Sequence, residues 1–156
     1  MCLNYEIILD TLQDTTNFAA DISAKFPAPI TVGLIGPLGA GKTTFVAAYV
    51  KALGMSCAVS SPSYLLQHEY DSEKVMVEHW DLYRVDTVVE ELLEPPDERT
   101  IRFIEWVDKV EELVNLSDVL VYFNLEFLDS DIVRRTARVI RTAHGNVRFE
   151  NALNDS

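Results

Sequence analysis

The chain of 156 residues has only two cysteines, Cys2 and Cys57, which is too few for a disulfide framework and has no metal-ligand spacing. Cysteine this scarce fits a reducing, cytoplasmic setting. No apolar run approaches the ~18 residues that would span a bilayer, and residues 1–10 lack the positive start and apolar centre of a signal peptide, so no membrane role is expected. Basic residues are also scarce, with 13 Lys and Arg against 25 Asp and Glu and a formal charge of -12. A diffuse positive field for nucleic-acid backbones is absent, so direct, tight binding of RNA or DNA is disfavoured. The stretch after the middle of the chain contains neither a D-x-x-G nor an N-K-x-D segment, which argues against a GTPase. Internal repeats and low-complexity stretches are missing too, and the nearest thing to a linker is the short loop Glu94-Pro95-Pro96-Asp97-Glu98. One domain spanning residues 1–156 is expected, with 48% hydrophobic residues to fill its core.

What is present begins with a complete phosphate-loop pattern. Gly36-Pro37-Leu38-Gly39-Ala40-Gly41-Lys42-Thr43 matches G-x-x-x-x-G-K-[ST] at every fixed position. Its flanks are those the chemistry requires. Residues 30–35 form a short apolar run that reads as a buried parallel strand, and Phe45, Val46, Tyr49, Val50 and Leu53 recur at helical spacing after Lys42. Loop N–H groups and the positive helix terminus can then surround a triphosphate, with Gly36, Leu38, Gly39, Ala40, Gly41 and Thr44 as candidate backbone contacts. Gly39 and Gly41 free the backbone for close approach, Lys42 reaches the β/γ-phosphates, and the Thr43 hydroxyl is a candidate Mg²⁺ ligand. Pro37 lacks an N–H but precedes the residues that form the cradle.

Elsewhere the pattern predicts a first strand over residues 3–9, then a helix capped by Asp14, Thr15 or Thr16 that carries Phe18, Ala19, Ile22 and Phe26. A β-hairpin is predicted from residues 64–70 and 75–81, a strand at 101–106, and late strands at 119–127 and 134–142. The expected architecture is a three-layer α/β sandwich with a mixed sheet and a β-hairpin, a P-loop NTPase fold.

Three further segments carry candidate chemistry. Ser60-Ser61-Pro62-Ser63-Tyr64 offers hydroxyls near a rigid turn, equally readable as a capped loop. In His79-Trp80-Asp81-Leu82-Tyr83-Arg84, Asp81 ends a predicted strand, where a P-loop fold places a carboxylate for Mg²⁺ or catalytic water. His79 reads more simply as a satisfied, partly buried imidazole than as a catalytic base. In Phe103-Ile104-Glu105-Trp106, Glu105 is either a carboxylate that orients water or binds magnesium, or a surface residue beside a core tryptophan. From residue 90 to 131 the charges are mostly acidic; Arg134, Arg135, Arg138, Arg141 and Arg148 then follow. This basic stretch reads as an edge strand blunted by charge, or as a surface for an acidic partner or for ATP phosphates.

In this order, the P-loop with Thr44, Ser61-Pro62-Ser63-Tyr64, the His79-Trp80-Asp81-Leu82-Tyr83-Arg84 segment and Ile104-Glu105-Trp106 resemble the TsaE (YjeE) family over essentially the whole chain. That resemblance implies an ATP-binding, slowly hydrolysing subunit of the bacterial tRNA threonylcarbamoyladenosine complex, acting with TsaB and TsaD subunits. It implies that Thr43 and Glu105 are magnesium-associated, that Asp81 supports metal or catalytic water, and that Trp106 flanks the nucleotide. With Lys42, Asp81 and Glu105 are thus the catalytic candidates. Ser61 and Ser63 would lie in a switch-like loop. The family commonly has an acidic residue where Pro37 stands, and often Thr in place of Ser63. The alternatives are a small-molecule or nucleoside kinase on the same loop, and a nucleotide-dependent interaction protein.

Overall fold

The computed structural model describes residues 4–60, 62, 66–129 and 132–145. Seven strands form one sheet in the order β1-β7-β6-β2-β5-β4-β3. They are β1 (Asn4–Ile8), β2 (Ile30–Ile35), β3 (Gln67–Asp71), β4 (Met76–Asp81), β5 (Thr100–Glu105), β6 (Val119–Asp129) and β7 (Ile132–Arg141). Helices α1 (Leu12–Lys25) and α2 (Lys42–Ala52) follow the first two strands, and the short α3 (Glu111–Leu116) precedes β6. β2 pairs in parallel with β5 and β6, and β4 in parallel with β5, so four strands point the same way through the centre. β1, β7 and β3 run against their neighbours and complete a mixed sheet. Residues 67–71 and 76–81 make the predicted hairpin.

Side-chain alternation along the central strands divides the core into two layers. On one side Phe18, Ala19 and Ile22 of α1 and Phe45, Val46 and Tyr49 of α2 bury against Val32, Leu34, Phe103, Val121 and Val139. Phe45 is the hub, with ring centroids 5.1 Å from Phe18, 5.9 Å from Phe103 and 5.7 Å from Phe123. Burying a side chain of this size contributes about 1.5–3 kcal/mol. The opposite layer is thin. Trp80, Leu82, Leu92, Ile104, Val107, Leu113 and Leu120 pack there beneath α3 and the 3₁₀ turns Glu90–Leu93 and Val107–Lys109.

Several boundaries depart from the sequence reading, among them the starts of α1 and β3. α1 starts earlier than expected because Thr11, not Asp14, Thr15 or Thr16, is its cap. The Thr11 hydroxyl accepts from the Asp14 N–H at 3.0 Å, and the Asp14 carboxylate accepts from the Thr11 N–H at 2.9 Å, a reciprocal capping box. β3 starts at Gln67, because Leu66 is held at φ 69°, which cannot continue a strand. Residues 64 and 65 of that prediction lie outside the described residues. The arginine-rich strand is also not an edge: β7 lies between β1 and β6 and uses both of its hydrogen-bonding sides. Among the described residues, no helix is long and apolar enough to cross a membrane.

Candidate functional site

The site lies at the carboxyl ends of β2, β4 and β5, where an open parallel sheet presents its ligand crevice. The chain leaves β2 through residues 36–41 and enters α2 at Lys42. Gly36, Gly39 and Gly41 all take positive φ, at 152°, 78° and 106°. Gly36 is also the tight point of the loop. A Cβ added there would sit 2.5 Å from the carbonyl oxygen of Phe123 on β6, whereas one on Gly39 would meet nothing within 4 Å. A Cβ on Gly41 would meet only the Arg135 Cδ, at an ordinary 3.9 Å, so the protein's own crowding falls on Gly36. Gly41 is the N-cap of α2 and makes no side-chain cap bond, so no side chain shields the positive end of the helix.

A cavity of about 530 Å³ opens above this loop. Pro37, Leu38, Gly39, Ala40, Gly41, Lys42, Thr43 and Thr44 line one wall, and Asp81, Tyr83, Glu105 and Trp106 the other. Gly36 is not part of the lining and lies behind the loop, where its carbonyl accepts from the Lys42 ammonium. Lys42 also donates to the Pro37 carbonyl at 3.1 Å and lies 4.3 Å from the Trp106 ring centroid. Burial pushes the Lys42 ammonium below the ordinary lysine range, and the charges of Glu105, Asp81 and Asp108 oppose that shift without cancelling it.

Opposite the loop, the parallel pairing of β4 and β5 places Asp81 beside Glu105. Both are buried, at 5% and 3% exposure. This decides the question left open for Glu105, which is a buried carboxylate and not a surface residue. The Thr43 hydroxyl donates toward its two oxygens at 3.3 and 3.2 Å. The Asp81 Oδ1 accepts from the Tyr83 N–H at 2.9 Å, which turns the chain after β4. Trp106, predicted as the end of a strand, instead takes φ 60°, while its N–H donates to the Leu34 carbonyl at 3.0 Å. That left-handed turn ends β5 and brings the ring to Lys42 and, at 5.0 Å, to Tyr83.

The structure adds residues that the sequence reading missed or gave other roles. His79 is fully buried, and its Nε2 is 2.6 Å from Glu105 Oε2. The available signal was strand periodicity, since His79 lies two residues before Asp81 and so on the same face of β4. Leu9, Asp10, Thr11, Leu12 and Thr15, from the start of α1 and the turn before it, wall the far end of the cavity. Arg135 of β7 joins them, donating from Nε to the Gly39 carbonyl at 3.0 Å. No sequence signal ties the five residues of α1 and its preceding turn to the loop, and Arg135 is legible only as one member of a basic stretch that could meet ATP phosphates, because β7 and α1 reach the loop through the sheet order. The other basic residues of β7 do not line the cavity: Arg134 pairs with the cavity-wall Asp10 at 3.3 Å, Arg138 lies 5.0 Å from the Tyr122 ring centroid, and Arg141 lies 5.6 Å from that of Phe26. Ser61, Ser63 and Arg148 lie outside the described residues.

The family model described as Threonylcarbamoyl adenosine biosynthesis protein TsaE matches residues 9–137. The chain belongs to the TsaE family. Among relatives, the Aquifex aeolicus tRNA threonylcarbamoyladenosine biosynthesis protein TsaE is 44% identical over 82 residues, covering 51% of this chain and 62% of that protein's length. The Rickettsia bellii protein of the same name is 32% identical over 133 residues, covering 83% and 91%. The fold is also that of a crystal structure of Bacillus subtilis YdiB, which superimposes with a TM-score of 0.68 at 21% identity over 100% of this chain and 99% of the other. The TsaE match includes every residue of both cavity walls, from Leu9 to Arg135.

Proposed function

We propose that this chain binds ATP with Mg²⁺ in the cavity above residues 36–44 and hydrolyses it slowly in support of tRNA threonylcarbamoyladenosine formation. On this reading it works in the cytoplasm with TsaD-like and TsaB-like subunits and meets tRNA only through them. The observation that carries it is the convergence of the Thr43 hydroxyl on the buried Glu105 carboxylate beneath the α2 terminus, with Lys42 and Asp81 alongside. This set fits magnesium. The candidate ligands Thr43, Glu105 and Asp81 all offer oxygen, and Mg²⁺ is held by one or two carboxylates together with substrate phosphates and water, not by an all-protein cage. Among the described residues, no three His, Cys, Asp or Glu side chains form such a cage.

Thr43 and Glu105 would hold the metal, with Asp81 beside them; when bound, the ion neutralises charge on the phosphates. Lys42 supplies a fixed positive charge against the β/γ-phosphates. Backbone N–H groups of Leu38, Gly39, Ala40, Gly41, Lys42, Thr43 and Thr44 form the cradle, and Gly36 anchors Lys42 from behind. Asp81 orients the attacking water, and Trp106 closes the wall over Lys42. The end of the cavity between Leu9, Leu12, Thr15 and Arg135 takes the nucleoside. The test is turnover of radiolabelled ATP by the purified chain, alone and with TsaD-like and TsaB-like subunits, with Mg²⁺ or EDTA. Slow, magnesium-dependent release of phosphate that responds to the partners is expected. ATP binding without turnover under any of these conditions would leave an interaction protein, and phosphate transfer to a metabolite would make it a kinase.

A further inference from the structure

We infer that His79 is a positioning residue that holds the Glu105 carboxylate in its metal-binding orientation. The inference deepens the magnesium reading above and rests on it. His79 lies on the same face of β4 as Asp81, one pleat repeat deeper in the sheet, and its ring is completely buried. Its Nε2 is 2.6 Å from Glu105 Oε2, while Nδ1 has no hydrogen-bond partner among the described residues. A neutral imidazole carries one proton, and only the Nε2–H form makes this contact a hydrogen bond to a carboxylate. The Nδ1 lone pair is then left buried and unmatched, which costs stability that an apolar residue of similar size would not lose.

Geometry gives that cost a purpose. Among the described residues, Glu105 has two hydrogen-bonding side chains against its carboxylate, Thr43 from the loop side and His79 from below. The Thr43 contacts are long, at 3.2 and 3.3 Å, and Thr43 is itself a candidate metal ligand. The short bond from His79 is therefore what fixes the rotation of the carboxylate about its last torsion, which is otherwise broad. A carboxylate held by a donor from behind presents its free lone pairs to the cavity. Outer partners of this kind typically change metal affinity without touching the metal.

The test compares His79→Asn, whose amide is too short to reach Glu105, with His79→Gln, which keeps an N–H donor at nearly the right distance. ATP affinity of the full chain is measured by calorimetry across a Mg²⁺ titration and in EDTA, and melting temperature is recorded beside it. His79→Asn is expected to raise the Mg²⁺ concentration for half-maximal tightening about tenfold, and His79→Gln by no more than about threefold, with EDTA affinity unchanged in both. A purely structural histidine would lower the melting temperature and leave the Mg²⁺ requirement alone. Equal Mg²⁺ requirements in the Asn variant and the unsubstituted protein, or equal rises in both variants, overturn the role of His79 alone. If the unsubstituted protein binds ATP no better with Mg²⁺ than in EDTA, the magnesium reading fails and this role with it. Nitrogen NMR of the unsubstituted protein tests the inference even if both variants fail to fold: a proton on Nε2 supports it, and a ring protonated only on Nδ1 overturns it.

Discussion

Replacing Gly36 by alanine separates crowding from backbone strain at the phosphate loop. The new methyl would sit 2.5 Å from the Phe123 carbonyl oxygen and 2.9 Å from the Phe123 Cβ, well inside ordinary contact. Neither side can yield easily. Phe123 pairs with Ala137 of β7, the β2 pairing ends one residue before it at Tyr122, and the Phe123 ring packs against Phe45. Overpacking of this kind costs about 1–3 kcal/mol, and an unfavourable φ adds on the order of 1 kcal/mol or more. The sum is about 3 kcal/mol, or a melting temperature lower by roughly 6–12 °C in a chain of this length. Gly39→Ala is the control, because its methyl meets nothing within 4 Å and only the φ of 78° is strained. That strain costs about 1–2 kcal/mol. Urea unfolding followed by circular dichroism, with thermal melts beside it, measures both variants. A Gly36→Ala protein as stable as Gly39→Ala would refute the crowding argument.

Three further outcomes follow from the site. Lys42→Ala removes charge-assisted bonds worth about 1.5–3 kcal/mol, so ATP affinity should fall roughly 10- to 100-fold, whereas Glu105→Ala should spare binding in EDTA and abolish turnover. Equal losses of EDTA affinity in calorimetry would contradict this division. Arg135→Ala removes the bond to the Gly39 carbonyl and one side of the nucleoside end, and should weaken ATP binding about fivefold with little change in melting temperature; unchanged affinity would place Arg135 outside the site. Burial depresses the Lys42 pKa, so the folded state binds fewer protons than the unfolded one between that depressed value and the usual 10.5. Stability from this group therefore rises with pH in that window. The stability difference between Lys42→Met and the unsubstituted protein, from urea titrations, should move in favour of the unsubstituted protein from pH 7 to pH 10. A difference independent of pH would count against a desolvated charge.

The loop from Gly36 to Thr44 was legible from sequence because a phosphate cradle is local: its glycines, its lysine and the helix it opens are consecutive residues. Residues 30–35, α2 and the hairpin were legible for the same reason, since period and turn chemistry act over a few positions. The Thr11 cap was missed although it is local, because Asp14 serves as its reciprocal partner at the third helical position and not as the cap itself. Other features required the sheet. That Glu105 is buried, that His79 lies behind it, and that Trp106 leaves its strand to reach Lys42 all depend on the β4–β5 register and the turn after β5. Arg135 and the residues Leu9 to Leu12 and Thr15 reach the cavity because β7 inserts between β1 and β6. Local sequence thus determined that a strand–glycine loop–helix of the phosphate-loop pattern exists, and long-range strand pairing decided which carboxylates, which imidazole and which arginine lie around it.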